Sequence, residues 1–257
     1  MKNLISVPSR TIAIAAIAFS LIFFSSCTKN NDNNNSTPVA GLMAFNLAPD
    51  KPAIGFALSG NSLTNAALPY TSYTGGYLSI YAGTRPVVAF DANTNATIAS
   101  TDYTFDKDKY YSLFLVGDTT FQNVVVSDNI DSLSGVSGNA YIRYINAIAD
   151  SSKPTVTITQ GGSNIVNENA AFASVSHFTP LTGGDVTLTV SNGSNIQASR
   201  TITLEQRKVY TALLVGVPGS TDSTKNIQIK YIENGTLSAD STNNGFSRVA
   251  PKAIKVN

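Results

Sequence analysis

Two stretches ninety-nine positions apart constrain this chain more than any other feature. Lys109-Tyr-Tyr-Ser-Leu-Phe-Leu-Val-Gly117 returns as Lys208-Val-Tyr-Thr-Ala-Leu-Leu-Val-Gly216. Each copy is an apolar, tyrosine-led run of strand length, stopped by a glycine. An apolar residue stands six places before the matched tyrosine in both: Phe105 before Tyr111, and Leu204 before Tyr210. A period that long reads as two copies of one small domain. At 257 residues the chain is long enough for two domains of about 100 residues each.

Composition agrees with a pair of β domains. Hydrophobic residues make up 42% of the chain, enough for a core in each copy. Charged residues are only 13%, while Ser, Thr, Asn and Gly are plentiful, which suits turn-rich, all-β domains outside the cytoplasm. Once Lys2 and Arg10 leave with the export signal described below, 15 basic residues face 16 acidic ones. No basic stripe interleaved with aromatics is visible, so nucleic acid is not an expected partner.

Residues 1–26 read as an export signal. Lys2 and Arg10 supply the positive end, and Thr11 to Phe24 is an apolar run too short to span a membrane as a helix. It ends in Phe24-Ser-Ser-Cys27, which resembles the lipobox of bacterial lipoproteins, with Phe24 where leucine is commoner. That resemblance implies cleavage before Cys27 and lipidation of this cysteine, the one cysteine of the chain. Three acyl chains at about 0.8 kcal/mol per buried CH₂ make a firm anchor. Thr28, in place of the aspartate usual for inner-membrane retention, implies the outer membrane. Residues 27–38, rich in asparagine, read as a disordered tether.

The remainder divides into a first sandwich at 39–129, a linker at 130–138, a second sandwich at 139–236 and a tail at 237–257. Strands are expected at 42–47, 53–58, 77–81, 86–92, 97–105, 110–116 and 121–126. In the second copy they are expected at 140–146, 155–159, 175–179, 186–191, 199–204, 209–215 and 227–232. Turn chemistry separates them. About seven short strands per copy, with no helical period, predict two tandem immunoglobulin-like (Greek-key) β-sandwich domains. Val249 to Val256 is either an added edge strand or a frayed end.

The copies align beyond the repeated run. Phe45-Asn46 matches Ile145-Asn146, Asp50 matches Asp150, Lys51-Pro52 matches Lys153-Pro154, and Gly83 falls on Gly184. Tyr111 and Tyr210 open the penultimate strands, where a Greek-key sandwich places its tyrosine corner. Their phenols are expected to bond back to upstream backbone.

Gly138 to Asp150, Thr182-Gly-Gly184, Leu204 to Tyr210 and Leu213-Leu-Val-Gly216 together resemble a domain of unknown function. That domain occurs in tandem in lipoproteins of Bacteroidetes-type bacteria. The likeness covers roughly 39–235. It implies the fold and the tandem arrangement and is almost silent on activity. The first copy departs from the pattern at Asp106-Lys-Asp-Lys109, which replaces a glycine-bearing turn, and in a longer segment at 92–100.

Few residues could carry chemistry. His177 is the one histidine of the chain and reads as a polar side chain near a strand end, with general-base work as the alternative. With one cysteine and one histidine, no zinc set or intrachain disulfide can be assembled. Asp102, Asp106 and Asp108 cluster, as Glu168 and Asp185 do more loosely, but a glycosidase needs two carboxylates across a cleft and these read as turn residues. A calcium loop would want more oxygen ligands and a turn glycine. The paired glycines lack a following helix and the phosphate-binding spacing. No catalytic residue, cofactor or metal is expected.

Tyrosine is more suggestive. Seven of the eleven lie in the first copy, and Tyr70, Tyr73, Tyr77 and Tyr81 could contact a glycan or a partner protein if exposed, or could simply pack. Thr119, Ser132, Ser223 and Ser241 each follow an aspartate in a tripeptide that resembles the O-glycosylation acceptor of these bacteria. The expectation is an outer-membrane-anchored, non-enzymatic binding or cell-envelope interaction module facing periplasm or cell surface. A carbohydrate-binding lipoprotein of a glycan-uptake system is the alternative, and a carboxylate-dependent hydrolase is the third reading.

Overall fold

β-branched and aromatic residues at strand spacing, cut by Gly, Asn and Asp, give an all-β structure of two tandem sandwiches. The computed structural model describes residues 38–239 and 245–248. The first repeat holds β1 (Val39–Asn46), β2 (Ile54–Leu58), β3 (Asn61–Ser62), β4 (Leu78–Tyr81), β5 (Gly83–Asp91), β6 (Thr97–Phe105), β7 (Tyr110–Val116) and β8 (Gln122–Ser127). The second holds β9 (Ala140–Asn146), β10 (Thr155–Gln160), β11 (Ser163–Asn169), β12 (Thr179–Leu181), β13 (Gly184–Ser191), β14 (Gln197–Leu204), β15 (Lys208–Val215), β16 (Gln228–Leu237) and β17 (Phe246–Arg248).

Each repeat folds the same way. The sheets β4-β1-β7-β8 and β3-β2-β5-β6 form the first sandwich; β12-β9-β15-β16-β17 and β11-β10-β13-β14 form the second. The repeated run occupies the same place in both. β7 lies parallel to β1 with Leu42 opposite Tyr111, and β15 lies parallel to β9 with Ile142 opposite Tyr210. The hairpins β2–β3 and β10–β11 turn on Ser59-Gly60 and Gly161-Gly162, all four at positive φ, as a two-residue turn that matches strand twist requires. The glycines that stop the repeated run are also conformational. Gly117 and Gly216 sit at φ 118 and 127, and a Cβ on either would collide with the carbonyl of Thr120 or Asn226.

Among the described residues three large cores result, beside a small cluster under segment 130–138, and one of the three was not announced by the repeat pattern. Leu42, Ala44, Phe56, Val87, Tyr111 and Leu113 fill the first sandwich. Ile142, Val156, Leu188, Ile202, Tyr210 and Leu214 fill the second. The third lies between the sandwiches, where Met43, Phe45 and Phe114 meet Ile145, Leu213, Val215 and Ile232. Both repeats fall within one compact unit. The sheets containing β1 and β9 therefore pack outer face to outer face, and four sheets stack in succession. Strands β1, β7, β9 and β15 are consequently buried on both faces, whereas β13 alternates between buried and half-exposed positions.

Segment 130–138 is packed against this interface. It opens with a 3-10 turn, Ile130–Ser132; Ile130 is buried beside Tyr141, Val209 and Leu237, and Tyr141 Oη donates to Ser134 O at 3.0 Å.

Several strand expectations shift. β11, with the polar sequence Ser-Asn-Ile-Val-Asn-Glu-Asn, was not expected and pairs only with β10 among the described residues. The strand expected at 175–179 is a single bridge at Val175 followed by β12. In the tail the added edge strand is β17, earlier than 249–256, which lie outside the described residues. Cys27, the signal and most of the tether also lie outside them.

Candidate functional site

Because β3 and β11 end one sheet of each sandwich while β4 and β12 end the other, each sandwich is open along the same edge. A groove lies at both edges. In the first repeat it measures ≈ 360 Å³ and is lined by Leu58, Leu63, Leu78, Ile80, Tyr81 and Arg85. In the second it measures ≈ 550 Å³, between β11 and the segment leading into β12, with Tyr144, Asn167, Glu168, Asn169, Ser176 and His177 in its lining.

The two grooves have different chemistry. The first is mostly apolar with one cation at its rim: Arg85 Cζ lies 5.6 Å from the Tyr81 ring centroid, and Arg85 Nε donates to Tyr81 O at 2.8 Å. The second is polar. Tyr144 Oη donates to Glu168 Oε1 at 2.6 Å, and burial, then the Glu168 carboxylate, hold the phenol well above its ordinary pKa. The phenol thus keeps its proton and remains a donor. His177 is exposed on the same groove.

The other residues singled out from sequence are dispersed. Tyr111 Oη accepts from Asp106 N–H at 2.8 Å and Tyr210 Oη accepts from Glu205 N–H at 3.1 Å, each spanning the turn that carries the chain from one sheet to the other. Tyr70, Tyr73, Tyr77 and Tyr81 do not form one exposed face. Tyr81 is 59% exposed, but Tyr77 is buried, and Tyr70 and Tyr73 pack on the core between the sandwiches, Tyr73 stacking on Phe45. Their apolar neighbours on the second repeat take the area a ligand would have needed.

Asp106 and Asp108 lie in the exposed turn between β6 and β7, Asp102 is exposed on β6, and Asp185 accepts from Thr203 Oγ1 across the ladder. Thr119, Ser132 and Ser223 are all exposed, and Ser241 lies outside the described residues.

Two residues that sequence reasoning did not single out hold the most concentrated polar structure. Arg143 and Asp128 are buried between the sandwiches, with Arg143 Nη2 2.8 Å from Asp128 Oδ1. Arg143 also donates to Thr211 Oγ1 at 3.1 Å and Ser112 Oγ at 2.8 Å, and lies 4.4 Å from the Phe178 ring centroid. Tyr77 Oη donates to Asp128 Oδ2 and accepts from Asn234 Nδ2 at 3.1 Å, while Thr211 Oγ1 donates to Asn234 Oδ1 at 2.8 Å. The ring Arg143–Asp128–Tyr77–Asn234–Thr211 is closed by one ion pair and four hydrogen bonds, so the buried charges are paired, although Asp128 Oδ1 accepts no hydrogen bond from the described residues. A lone arginine inside Ala140-Tyr-Ile-Arg-Tyr-Ile-Asn146 was the available signal, because a charge in an apolar strand must find a partner.

A family model described as Domain of unknown function (DUF4397) matches twice, over residues 40–153 and 140–256. No curated protein matches the chain. Among solved structures, one assigned provisionally to cell adhesion, from Bacteroides eggerthii DSM 20697, is 10% identical with a TM-score of 0.24. The alignment covers 77% of this chain and 95% of that one. A second with the same assignment, from Parabacteroides distasonis ATCC 8503, is 8% identical with a TM-score of 0.22, covering 77% and 99%. Likeness at this level brings no role with it.

Proposed function

The chain belongs to the family Domain of unknown function (DUF4397), and from that premise we propose a non-enzymatic binding module of the cell envelope, held to the outer membrane by lipid on Cys27. The observation that carries the reading is the pair of grooves at equivalent open edges of two sandwiches packed back to back. A fused interface fixes the grooves relative to each other, and their differing linings suit two different contacts on one ligand or partner. The polar side chains of the second groove point to hydrogen-bonded recognition.

The test is capture from intact envelope by the lipidated full chain, with protease accessibility on whole cells to report the side it faces. Capture lost in His177→Ala with Glu168→Ala, and separately in Tyr81→Ala with Arg85→Ala, is the expected outcome. Capture by both variants equal to that of the parent overturns the role of the grooves, and a mass at Cys27 equal to bare polypeptide overturns the anchor.

Glycan binding is the second reading, favoured by one observation. The exposed Tyr81 ring, backed by Arg85, is an aromatic platform at the rim of the first groove. Retention on a glycan array, lost in Tyr81→Ala, is its expected result. Lys109 and Asp131 pair on the surface, and Thr119, Ser132 and Ser223 remain accessible to the O-glycosylation proposed for them.

A further inference from the structure

Register superimposes the two walls of the central interface residue for residue. Met43 faces Ser112 in one parallel ladder and Arg143 faces Thr211 in the other, so Met43 answers to Arg143 and Ser112 to Thr211. Tyr111 faces Ser127 and Tyr210 faces Glu233, which makes Asp128 the counterpart of Asn234. Leu42 faces Leu78 and Ile142 faces Thr179, which makes Tyr77 the counterpart of Phe178. The apolar positions follow the same rule: Phe45 and Ile145, Phe114 and Leu213, Val116 and Val215 share one cluster.

A contact made by the same patch on both sides is the isologous, two-fold kind found in symmetric dimers. Here the polar positions differ between its halves in a complementary way. Two first repeats so paired would bury two Asp128 carboxylates with methionine where the guanidinium lies. Two second repeats would bury two Arg143 side chains against asparagine amides. An uncompensated charge in such a place is strongly destabilising. Only unlike repeats bring one cation, one anion and the donors that close the ring.

We infer that Met43/Arg143, Tyr77/Phe178, Ser112/Thr211 and Asp128/Asn234 form a pairing code on a diverged two-fold interface. The partner this face accepts is the unlike repeat of the same chain. Like repeats of neighbouring chains are rejected by buried charge.

The test uses the full chain. Exchanging all four pairs of positions (Met43→Arg with Arg143→Met, Tyr77→Phe with Phe178→Tyr, Ser112→Thr with Thr211→Ser, Asp128→Asn with Asn234→Asp) moves the ring to its two-fold-related place. Arg143→Met alone is expected to raise the unfolding equilibrium constant by roughly several hundredfold. Adding Asp128→Asn to it recovers most of that loss, and the fully exchanged chain melts in one transition near the parent. An exchanged chain no more stable than Arg143→Met overturns the proposal. So does additivity of Arg143→Met and Asp128→Asn.

Discussion

Asn46 and Asn146 make the same pair of hydrogen bonds in the two repeats. Oδ1 of each accepts from the backbone N–H two residues on, Ala48 or Ile148, at 3.1 Å. Nδ2 of each donates to a carbonyl beyond the following hairpin, Leu68 O at 3.0 Å or Ala170 O at 2.9 Å. Both side chains are fully buried, and each ties the exit of the first strand to the segment that returns toward the open edge. Asn46 adds a bond to Lys51 O at 2.7 Å. Replacement by alanine leaves buried groups unpaired and is expected to cost roughly 1–3 kcal/mol at either site. Asn46→Ala should cost more than Asn146→Ala, as read by urea unfolding.

The tyrosine corners give a smaller effect. Tyr111→Phe and Tyr210→Phe each keep the ring and orphan one backbone N–H, of Asp106 and Glu205. A loss of about 1 kcal/mol is expected in each, seen as a lower melting temperature. A Tyr210→Phe chain that melts with the parent would mean that water replaces the bond without cost.

Alkaline pH should destabilise the fold through its buried phenols, those of the interface included. Burial, reinforced by the Asp128 carboxylate, holds the Tyr77 phenol well above its ordinary value of 10.0, and burial pushes Tyr70 up to about 12. A raised folded-state value means that the unfolded chain releases its proton first as pH rises. The stabilisation is complete below the unfolded value near 10 and is lost progressively from there toward the folded values. Unfolding free energy is expected to fall above about pH 10, with a shallower slope in Tyr77→Phe. An unchanged slope in that variant would remove Tyr77 from the titration.

Gly117→Ala and Gly216→Ala should behave alike. Both positions have positive φ and a carbonyl where the methyl would go. Either change is expected to cost about 2 kcal/mol or more, beyond the usual penalty for strain alone. Gly184→Ala, at φ 122 with no atom within 4 Å of the added methyl, serves as the control for φ without collision.

The sandwiches were legible because repeats, turn glycines and tyrosine-led strands are local patterns. The interface was also written in the chain, as a departure from alternation. Apart from Asn46 and Ser112, Leu42 to Leu47 and Tyr110 to Val116 are apolar on both faces, as strands buried on both sides are, whereas Gly184 to Ser191 alternates. Without that distinction between strands, the sequence left Tyr70, Tyr73 and Tyr77 open between contact with a ligand and packing. β11 escaped because Asn and Glu on an edge strand look like loop, and only pairing with β10 makes them a strand. The ring of Arg143 and Asp128 joins residues far apart in sequence, and no local pattern links them. The grooves arise from where two sheet edges diverge, which is a property of topology and not of any motif.

The parallel pairing of β1 with β7 sets how the molecule answers a pull. Force arriving along the backbone at Val39 runs down β1 and loads the six residue pairs from Gly41–Tyr110 to Asn46–Leu115 side by side, in shear. An antiparallel hairpin pulled from its open end would instead unzip one rung at a time. With Phe45 and Met43 also wedged into the opposing wall, the first strand of the described chain resists being peeled away by a pull on its N-terminal side.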